Sequence, residues 1–417
     1  MRKLMKTTTG PQSACQICGN SKLEEVISMG HQPVLQEYLT KEQLLQPEAT
    51  YPLNLVYCAT CGLCQLDYVI EPSLVFMPHY PYRTGLTLML IRNFRSLAET
   101  MSAAGYYKKG DLVVDIGSND GTLLRQFKDL GAQVVGVEPT NVAKIAAKSG
   151  IPTLQHFFNK QSVSKIKRSF GVPKVITATN VFAHISDTPT LVKNIKSLMG
   201  KDTVFVSESQ YLMDMISKLE LDTIYNEHLR YYALKPLIHL FKKHGMSVID
   251  AERIEAAGGS IRVYAKVGAH AMSPRAKALL SAEIKAGLYD LKTLRNFAKR
   301  SHDAKHQLVH LLTSLKKKGA RIAGLTSAGR SNALLGFTKI NRTLLDYNAE
   351  KKGSPKIGLY TPGTHIPVVD EAHLIKDQPD YLVVLSWHIG PELIRISRKF
   401  GYKGKFIIPL PKPRVVR

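Results

Sequence analysis

The sequence predicts an α/β protein with a doubly wound central domain, a small cysteine-rich module before it and a smaller α/β domain after it. Three observations lead to this fold class. Short apolar runs alternate with amphipathic stretches between about residues 111 and 268, the pattern of a parallel sheet covered by helices. All five cysteines lie between residues 15 and 64. Further short apolar runs follow a long, charged, helix-forming stretch that begins near residue 273.

The chain has 417 residues, which is too long for one ordinary hydrophobic core. We therefore expect three domains, comprising residues 1–75, 76–270 and 271–417. Candidate strands of the central domain are 112–116, 133–137, 174–177, 203–207 and 261–266, with candidate helices at 123–130 and 190–199. Candidate strands of the last domain are 321–325, 356–358, 381–386 and 405–409.

Composition limits the classes of partner. Lysine and arginine number 57 against 33 aspartate and glutamate, a formal net charge of +24, which favours anionic partners. No nucleic-acid-binding motif accompanies this charge, so we expect a small-molecule substrate and no nucleic acid. No apolar run approaches the ~20 residues that span a bilayer, and no secretory signal follows the polar N-terminus. We therefore expect a soluble, cytoplasmic protein without a membrane partner.

The cysteines are spaced as two Cys-x2-Cys knuckles separated by 39 residues. Two such knuckles can supply four thiolates to one tetrahedral Zn²⁺, and four thiolates close its coordination shell, so the metal would be structural. Cys64 lies just beyond the second knuckle and is expected to be a buried apolar residue. The expected zinc ligands are Cys15, Cys18, Cys58 and Cys61.

A glycine-rich loop follows the first strand of the central domain. Residues 115–121 read D-I-G-S-N-D-G, and Glu138 ends the next strand. Such a loop brings the backbone close to a ligand, and the carboxylate can accept hydrogen bonds from both ribose hydroxyls of an adenosine. The NAD fingerprint is absent because Asn119 stands where its second glycine is required. The pattern resembles that of class I S-adenosylmethionine methyltransferases; a glycine turn with a surface glutamate is the alternative.

The densest run of acid, base and phenol is Y-N-E-H-L-R-Y-Y at residues 225–232. Such a cluster suits proton transfer, because histidine titrates near neutrality and a carboxylate or phenol can tune it. A solvated helix start is an equally good interpretation of these residues alone. His184 is a second candidate at the same sheet edge, and Tyr80 precedes the central domain where it could close over the site.

Taken together along nearly the whole chain, the motifs resemble those of sugar C-methyltransferases that act on nucleotide-linked 4-keto-deoxysugars. Two motifs, near residues 258–262 and 361–367, are specific to this group. The matching segments are the two cysteine knuckles, Y-P-Y at 80–82, the loop 115–121, E-P at 138–139, F-F at 157–158, Asn180 with H-I at 184–185, Y-x-E-H at 225–228, G-G-S-x-R at 258–262 and T-P-G-T-H-I-P at 361–367.

The resemblance implies a class I (Rossmann-like) methyltransferase domain that uses S-adenosylmethionine, together with Zn²⁺ and a dTDP-type keto sugar. It also implies that a base removes the hydrogen beside the ketone and that the resulting enolate carbon accepts the methyl group. The implied catalytic residues are His228 as base, with Glu227, Tyr225, His184 and Tyr80 around it. The implied cofactor residues are Asp115, Gly117, Ser118, Asn119, Gly121, Glu138, Pro139, Phe158 and Asn180.

Two positions depart from the family pattern. Ala257 stands where a histidine is usual, and residues 324–330 read G-L-T-S-A-G-R where the family reads G-x-G-A-x-x-K. If that loop touches the nucleotide or the sugar, the substrate has changed. We also expect Arg262 and Arg330 to bring positive charge to a cleft that binds a nucleotide diphosphate. An O- or N-methyltransferase and a zinc-bearing binding protein without turnover are the alternatives.

Overall fold

The computed structural model describes residues 9–75 and 83–417, which form three parts, each organised around a sheet. In the first part β2, β3 and β4 pair antiparallel, and β1 pairs with β5. The elements of this part are β1 (Gly10–Pro11), β2 (Glu24–Gln32), β3 (Tyr51–Cys58), β4 (Leu63–Leu66), β5 (Tyr68–Val69) and the short helix α1 (Pro72–Val75).

The second part is the doubly wound domain that the sequence predicts. Its elements are α2 (Leu88–Ala103), β6 (Leu112–Ile116), α3 (Thr122–Asp129), β7 (Gln133–Val137), α4 (Ala143–Lys148), β8 (Thr153–Leu154), α5 (Lys160–Ser169), β9 (Val175–Thr179), α6 (Thr188–Leu198), β10 (Val204–Gln210), α7 (Leu212–Lys218), β11 (Arg230–Tyr231), α8 (Leu234–Lys243), β12 (Met246–Ile254) and β13 (Ser260–Val267). The sheet order is β12-β13-β10-β9-β6-β7-β8. The order reverses between β6 and β9, and ligands of open α/β sheets bind at such a point.

The expected parallel sheet holds from β6 to β10 but not at the edge of this domain. The strand predicted at residues 261–266 runs antiparallel to both β10 and β12. Only the short turn at Ala256–Gly258 joins β12 to β13. A connection of that length can join antiparallel strands, whereas parallel strands need a crossover of a dozen or more residues.

The third part is a second doubly wound sheet, in the order β16-β15-β14-β17-β18-β19, with only β19 antiparallel to its neighbour. Helix α9 (Pro274–Lys285) precedes this part and packs against β12 and α8 of the second part. The elements of the third part are α10 (Leu291–Lys317), β14 (Ile322–Leu325), α11 (Gly329–Thr338), β15 (Asn348–Glu350), β16 (Val368–Asp370), α12 (Glu371–Asp377), β17 (Tyr381–Val384), α13 (Gly390–Lys399), β18 (Lys405–Ile408) and β19 (Arg414–Val416).

The strand predicted at residues 356–358 is wrong, because these residues form turns. Gly353 and Gly358 both have positive φ, of 82° and 86°, and Pro355 lies between them. These residue types favour turns and interrupt a strand. Three strands that the sequence reasoning missed, β15, β16 and β19, complete the sheet instead.

The first part contacts both of the others. Strand β11, which lies near the end of the polar run 225–232, extends the first part's sheet by pairing Arg230 with Gln65 and Tyr231 with Cys64. An isolated bridge joins Leu39 to Tyr360 of the third part. In residues 9–75 and 83–417, none of the helices is both long enough and apolar enough to cross a bilayer.

Candidate active site and metal centre

The four knuckle cysteines converge, with all four Sγ atoms within 4.8 Å of one another. Two of these separations are 3.5 Å, between Cys15 and Cys61 and between Cys18 and Cys58. A tetrahedral Zn²⁺ with bonds of about 2.3 Å to sulfur spaces its ligands about 3.8 Å apart, so the donor set fits one zinc ion.

Both knuckles turn at a glycine that follows the second cysteine. Gly19 and Gly62 have φ of 81° and 83°, a conformation that glycine adopts without steric cost. Cys64 lies apart from the four ligands, fully buried on β4, and burial raises the pKa of its thiol. Its surroundings are those of a small apolar core residue.

The glycine-rich loop between β6 and α3 lies at the carboxyl ends of the central strands. Gly117, Asn119 and Gly121 all have positive φ, of 69°, 48° and 78°. A side chain at Gly117 would clash, because an added Cβ would lie 2.4 Å from a methyl carbon of Val181. The loop then leads directly into α3, whose first backbone N–H, that of Thr122, donates to Asp120 Oδ1 at 3.3 Å.

Glu138 is buried at the end of β7 and holds this loop. Its Oε2 accepts a hydrogen bond from the Asn119 N–H at 3.1 Å. Its Oε1 accepts from the Thr140 N–H and Oγ1, at 2.9 and 2.7 Å. A carboxylate offers about four acceptor sites, so capacity remains on Oε2 for a ligand hydroxyl.

Two predicted cofactor residues of the loop, Asp115 and Ser118, have buried side chains. Asp115 accepts a hydrogen bond from Thr177 Oγ1 at 2.6 Å, and burial raises the pKa of its carboxyl to about 7. Ser118 is buried with its hydroxyl against Gly136 of β7. Both side chains therefore support the loop from below and do not line an open crevice.

The remaining predicted cofactor residues lie near the ends of the strands. Pro139 and Phe158 are half-buried after β7 and β8. Asn180 follows β9 with a φ of 56° and donates its N–H to the Glu208 carbonyl at 2.8 Å. Their positions border the carboxyl edge of the sheet, where the reversal in strand order places the crevice.

Three of the predicted catalytic residues meet. The His228 ring lies 4.0 Å from the Tyr225 ring and 5.0 Å from the His184 ring, measured between centroids. Glu227 is buried beside them in the chain. Tyr80 lies outside the described residues.

The protonation of His228 follows from its contacts. Its Nδ1 lies 2.9 Å from the Thr223 carbonyl oxygen, which can only accept, so Nδ1 carries the hydrogen and Nε2 carries the lone pair. Removal from water lowers the pKa of His228 well below its usual value, and His184 and Arg330 lower it further. The imidazole is therefore neutral at physiological pH.

Arg230 is a functional residue that the sequence motifs did not indicate. It links the segment of His228, two residues before it, to the segment of His184. Its buried guanidinium donates to the carbonyl oxygens of Ile185 and Ser186 at 2.8 and 2.7 Å. Burial, and then the charge of Arg230, lower the pKa of His184 to about 4. His184 is therefore also neutral near pH 7.

Comparison with known proteins agrees with this geometry. Three family models match successive regions, a zinc binding domain at residues 15–76, a methyltransferase domain at 89–251 and a C-methyltransferase C-terminal domain at 255–411. C-methyltransferase NovU of Streptomyces niveus is 31% identical over 416 residues, which cover 99% of each chain. The chain belongs to the C-methyltransferase family.

Membership confirms the predicted fold class, the S-adenosylmethionine cofactor and the zinc. A second relative, the ubiquinone biosynthesis O-methyltransferase of Colwellia psychrerythraea, is 25% identical over 160 residues, 34% of this chain and 63% of that one. The enzyme is thus an S-adenosylmethionine-dependent C-methyltransferase with a zinc-binding module, and not a binding protein without turnover.

The loop of this C-methyltransferase suits its cofactor. The Glu138 carboxylate stands at the end of β7, where it can accept from ribose hydroxyls while it holds Asn119 in place. The residue order of strand, loop, helix, strand and acid is therefore present in space as well as in sequence.

Replacing Glu138 with alanine is expected to weaken S-adenosylmethionine binding by about 1–3 kcal/mol, because charge-assisted hydrogen bonds are lost. In titration calorimetry this corresponds to about a 5- to 150-fold loss of affinity. Asp129→Ala, which removes an exposed carboxylate from the far end of α3, is the matched control. An unchanged affinity in Glu138→Ala would contradict the assignment.

The expectation that Arg262 and Arg330 bring free positive charge to a cleft is wrong. Arg262 is buried and paired with Glu208 and Glu252, at 3.0 and 3.3 Å. Arg330 pairs with Asp222 at 2.9 Å. Carboxylates offset both charges. The fully buried partners, Glu208 of Arg262 and Asp222 of Arg330, are 54 and 108 residues away in the sequence, so no local motif predicts these pairs.

Proposed function

We propose that this C-methyltransferase methylates the carbon beside the ketone of a nucleotide-linked 4-keto-deoxysugar, by way of an enolate. The observation that carries the proposal is the orientation of His228. The Thr223 carbonyl holds the Nδ1 hydrogen, so the Nε2 lone pair is available to a substrate. A half-buried neutral imidazole in that state is suited to act as a general base.

Methylation at a carbon atom requires a base, because the hydrogen on that carbon has to be removed first. A hydrogen on the carbon beside a ketone is acidic, and its removal by His228 Nε2 leaves the electron pair delocalised onto the ketone oxygen. The Tyr225 and His184 rings lie 4.0 and 5.0 Å from the His228 ring, measured between centroids, and we assign their O–H and N–H groups to donate hydrogen bonds to that oxygen. Bound S-adenosylmethionine supplies an electrophilic methyl group.

The charge that develops on His228 also needs a partner. Glu227 is the adjacent residue and is buried in the same segment. Its carboxylate would stabilise the imidazolium formed when the proton is taken up, since opposite charges interact strongly away from bulk water. We therefore assign Glu227 to stabilising the charge on His228, whereas the Thr223 carbonyl sets the orientation of the ring.

We assign the nucleotide of the substrate to a loop of the third part whose contacts match those of the cofactor loop. The Thr326 N–H donates to the Ala349 carbonyl at 2.8 Å, as the Gly117 N–H does to Val137 in the cofactor domain. Glu350 ends the second strand and accepts from the Ser327 N–H at 2.8 Å, as Glu138 accepts from Asn119. These contacts favour a second ribose site at Glu350.

This second loop lies beside the catalytic residues. A Cβ built on Gly329 would be 3.7 Å from Tyr225 Cε2. A ligand held by the loop at Glu350 would therefore reach the proposed base. We propose on this ground that 271–417 is the substrate domain, beside the module 1–75 and the methyltransferase domain 76–270. The cytoplasmic location stays a prediction.

The test is the position of the transferred methyl group. The enzyme is incubated with S-adenosylmethionine carrying a ¹³C-methyl group and a set of dTDP-linked 4-keto-6-deoxysugars that differ at carbons 2 and 3. We expect a new carbon-bound methyl group at carbon 3 in the NMR spectrum, and no product from dTDP-glucose, which lacks the ketone. Label on oxygen or nitrogen, or equal reaction of dTDP-glucose, would overturn the proposal.

A further inference from the structure

The two departures from the family pattern meet in space. Arg330 Nη1 donates a hydrogen bond to the carbonyl oxygen of Ala257 at 3.1 Å. Ala257 has a φ of 56°, an unusual backbone conformation for a residue with a side chain. The altered loop of the third part and the altered turn of the second part therefore form one contact.

Arg330 also clamps a second turn of the methyltransferase domain. Its Nε and Nη2 donate to the two carboxylate oxygens of Asp222 at 2.9 and 3.0 Å, and Glu220 lies 3.5 Å away. Trp387, also from the third part, donates its Nε1 hydrogen to Asp222 Oδ2 at 3.1 Å. This pair of parallel hydrogen bonds, called the fork below, needs a planar guanidinium, because the single nitrogen of lysine cannot make two parallel bonds to one carboxylate.

The clamped turn, Leu221–Thr223, delivers the carbonyl that sets the state of the proposed base. The Thr223 oxygen accepts from His228 Nδ1 at 2.9 Å and from the Tyr231 hydroxyl at 3.1 Å. Thr223 directly follows Asp222 in the chain. A movement of Asp222 would therefore move the acceptor that holds His228.

We propose that Arg330 is a positioning residue. It holds the turn Leu221–Thr223 in place, so that His228 keeps its hydrogen on Nδ1 and its lone pair on Nε2. The catalytic consequence rests on the proposed function of His228, whereas the state of the imidazole does not. Proton abstraction is then tied to the docking of the third part, because Arg330 and Trp387 both come from it. His228 is held in its reactive tautomer only when the third part is packed against the methyltransferase domain.

The test reads the imidazole directly. Zinc-loaded, full-length protein is labelled with ¹⁵N at histidine, and the His228 signals are assigned by their loss in His228→Asn. We expect one tautomer in the wild type, with hydrogen on Nδ1, and mixed tautomers in Arg330→Met. Arg330→Lys, which keeps the charge without the fork, should restore the signals only in part.

Activity gives a second readout. With a dTDP-linked 4-keto-6-deoxysugar, Arg330→Met should lose about 10- to 100-fold in kcat. Losses of this size are found in metalloenzymes when a residue that orients a metal ligand by a hydrogen bond is removed. KM should change less than kcat. Arg321→Met is the matched control, since Arg321 belongs to the same domain and pairs with Asp377 away from this turn.

A folded Arg330→Met with wild-type His228 signals would overturn the inference, as would equal effects in Arg321→Met. If Arg330→Met does not fold, Asp222→Asn decides, because it removes the charged acceptor and leaves Arg330 in place; mixed tautomers support the proposal and a single one refutes it. A wild type with the expected tautomer but no methylation of keto sugars would remove the proposed function and leave this inference standing.

Discussion

His228→Asn is expected to slow exchange of the sugar's α-hydrogen by about 10²- to 10⁴-fold, the usual contribution of a general base. Asparagine can still reach the Thr223 carbonyl, but its amide cannot take up a proton near neutral pH. The exchange is followed by NMR in deuterated water with S-adenosylhomocysteine present, so that proton abstraction is measured without methylation. Cofactor affinity should remain unchanged, since Glu138 and the loop 115–121 are intact.

The control is His306→Asn, an exposed histidine on α10. It should exchange at the wild-type rate. Exchange at that same rate by His228→Asn would show that another residue is the base, and Tyr225 and Glu227 would be the next candidates because they lie beside it. Loss of both exchange and cofactor binding would indicate a misfolded loop and would count against a purely catalytic role.

Loss of the metal is expected to have the largest structural effect. Zinc binding contributes about 10–16 kcal/mol to the folding of small zinc-finger domains, so a module held by four thiolates should unfold without it. Strand β11, which begins two residues after His228 in the chain, pairs with β4 of that module. Zinc removal should therefore disturb the proposed base as well as the module.

Cys58→Ser is expected to lower the zinc content from about one ion per chain towards zero, because one of four thiolates is lost. Elemental analysis measures the metal, and amide hydrogen exchange at Arg230 and Tyr231 measures the release of β11. The matched control is Cys64→Ala, which removes a thiol from the same module and should retain the zinc. Unchanged zinc in Cys58→Ser would refute the assigned ligand set.

The sites that the sequence predicted are those built from neighbouring residues. The two knuckles place their cysteines two residues apart, so backbone turns at Gly19 and Gly62 bring each pair together whatever else surrounds them. The loop 115–121 is similarly local, since positive φ at Gly117 and Gly121 follows from the glycines themselves. The meeting of His184 with His228 was expected because both follow strands of one sheet.

Errors arose where a short pattern had more than one structural outcome. Residues 356–358 were predicted as a strand, but Gly358 within them, together with Gly353 and Pro355 before them, makes turns more favourable. The strand at 260–267 has the composition of its neighbours, and composition does not specify its direction. The short turn at Ala256–Gly258 determines that it runs antiparallel.

The amino-acid sequence by itself predicted the four clustered cysteines, the glycine-rich loop and five of the seven strands of the central sheet, because each depends on backbone preferences and side chains a few residues apart. Only the tertiary structure decided that Arg330 and Arg262 are paired with carboxylates and that β11 completes the sheet of the zinc module. Ion pairs and strand pairs between distant segments depend on which surfaces pack together. A charge in the sequence therefore shows that a partner is needed, and the fold determines which one it meets.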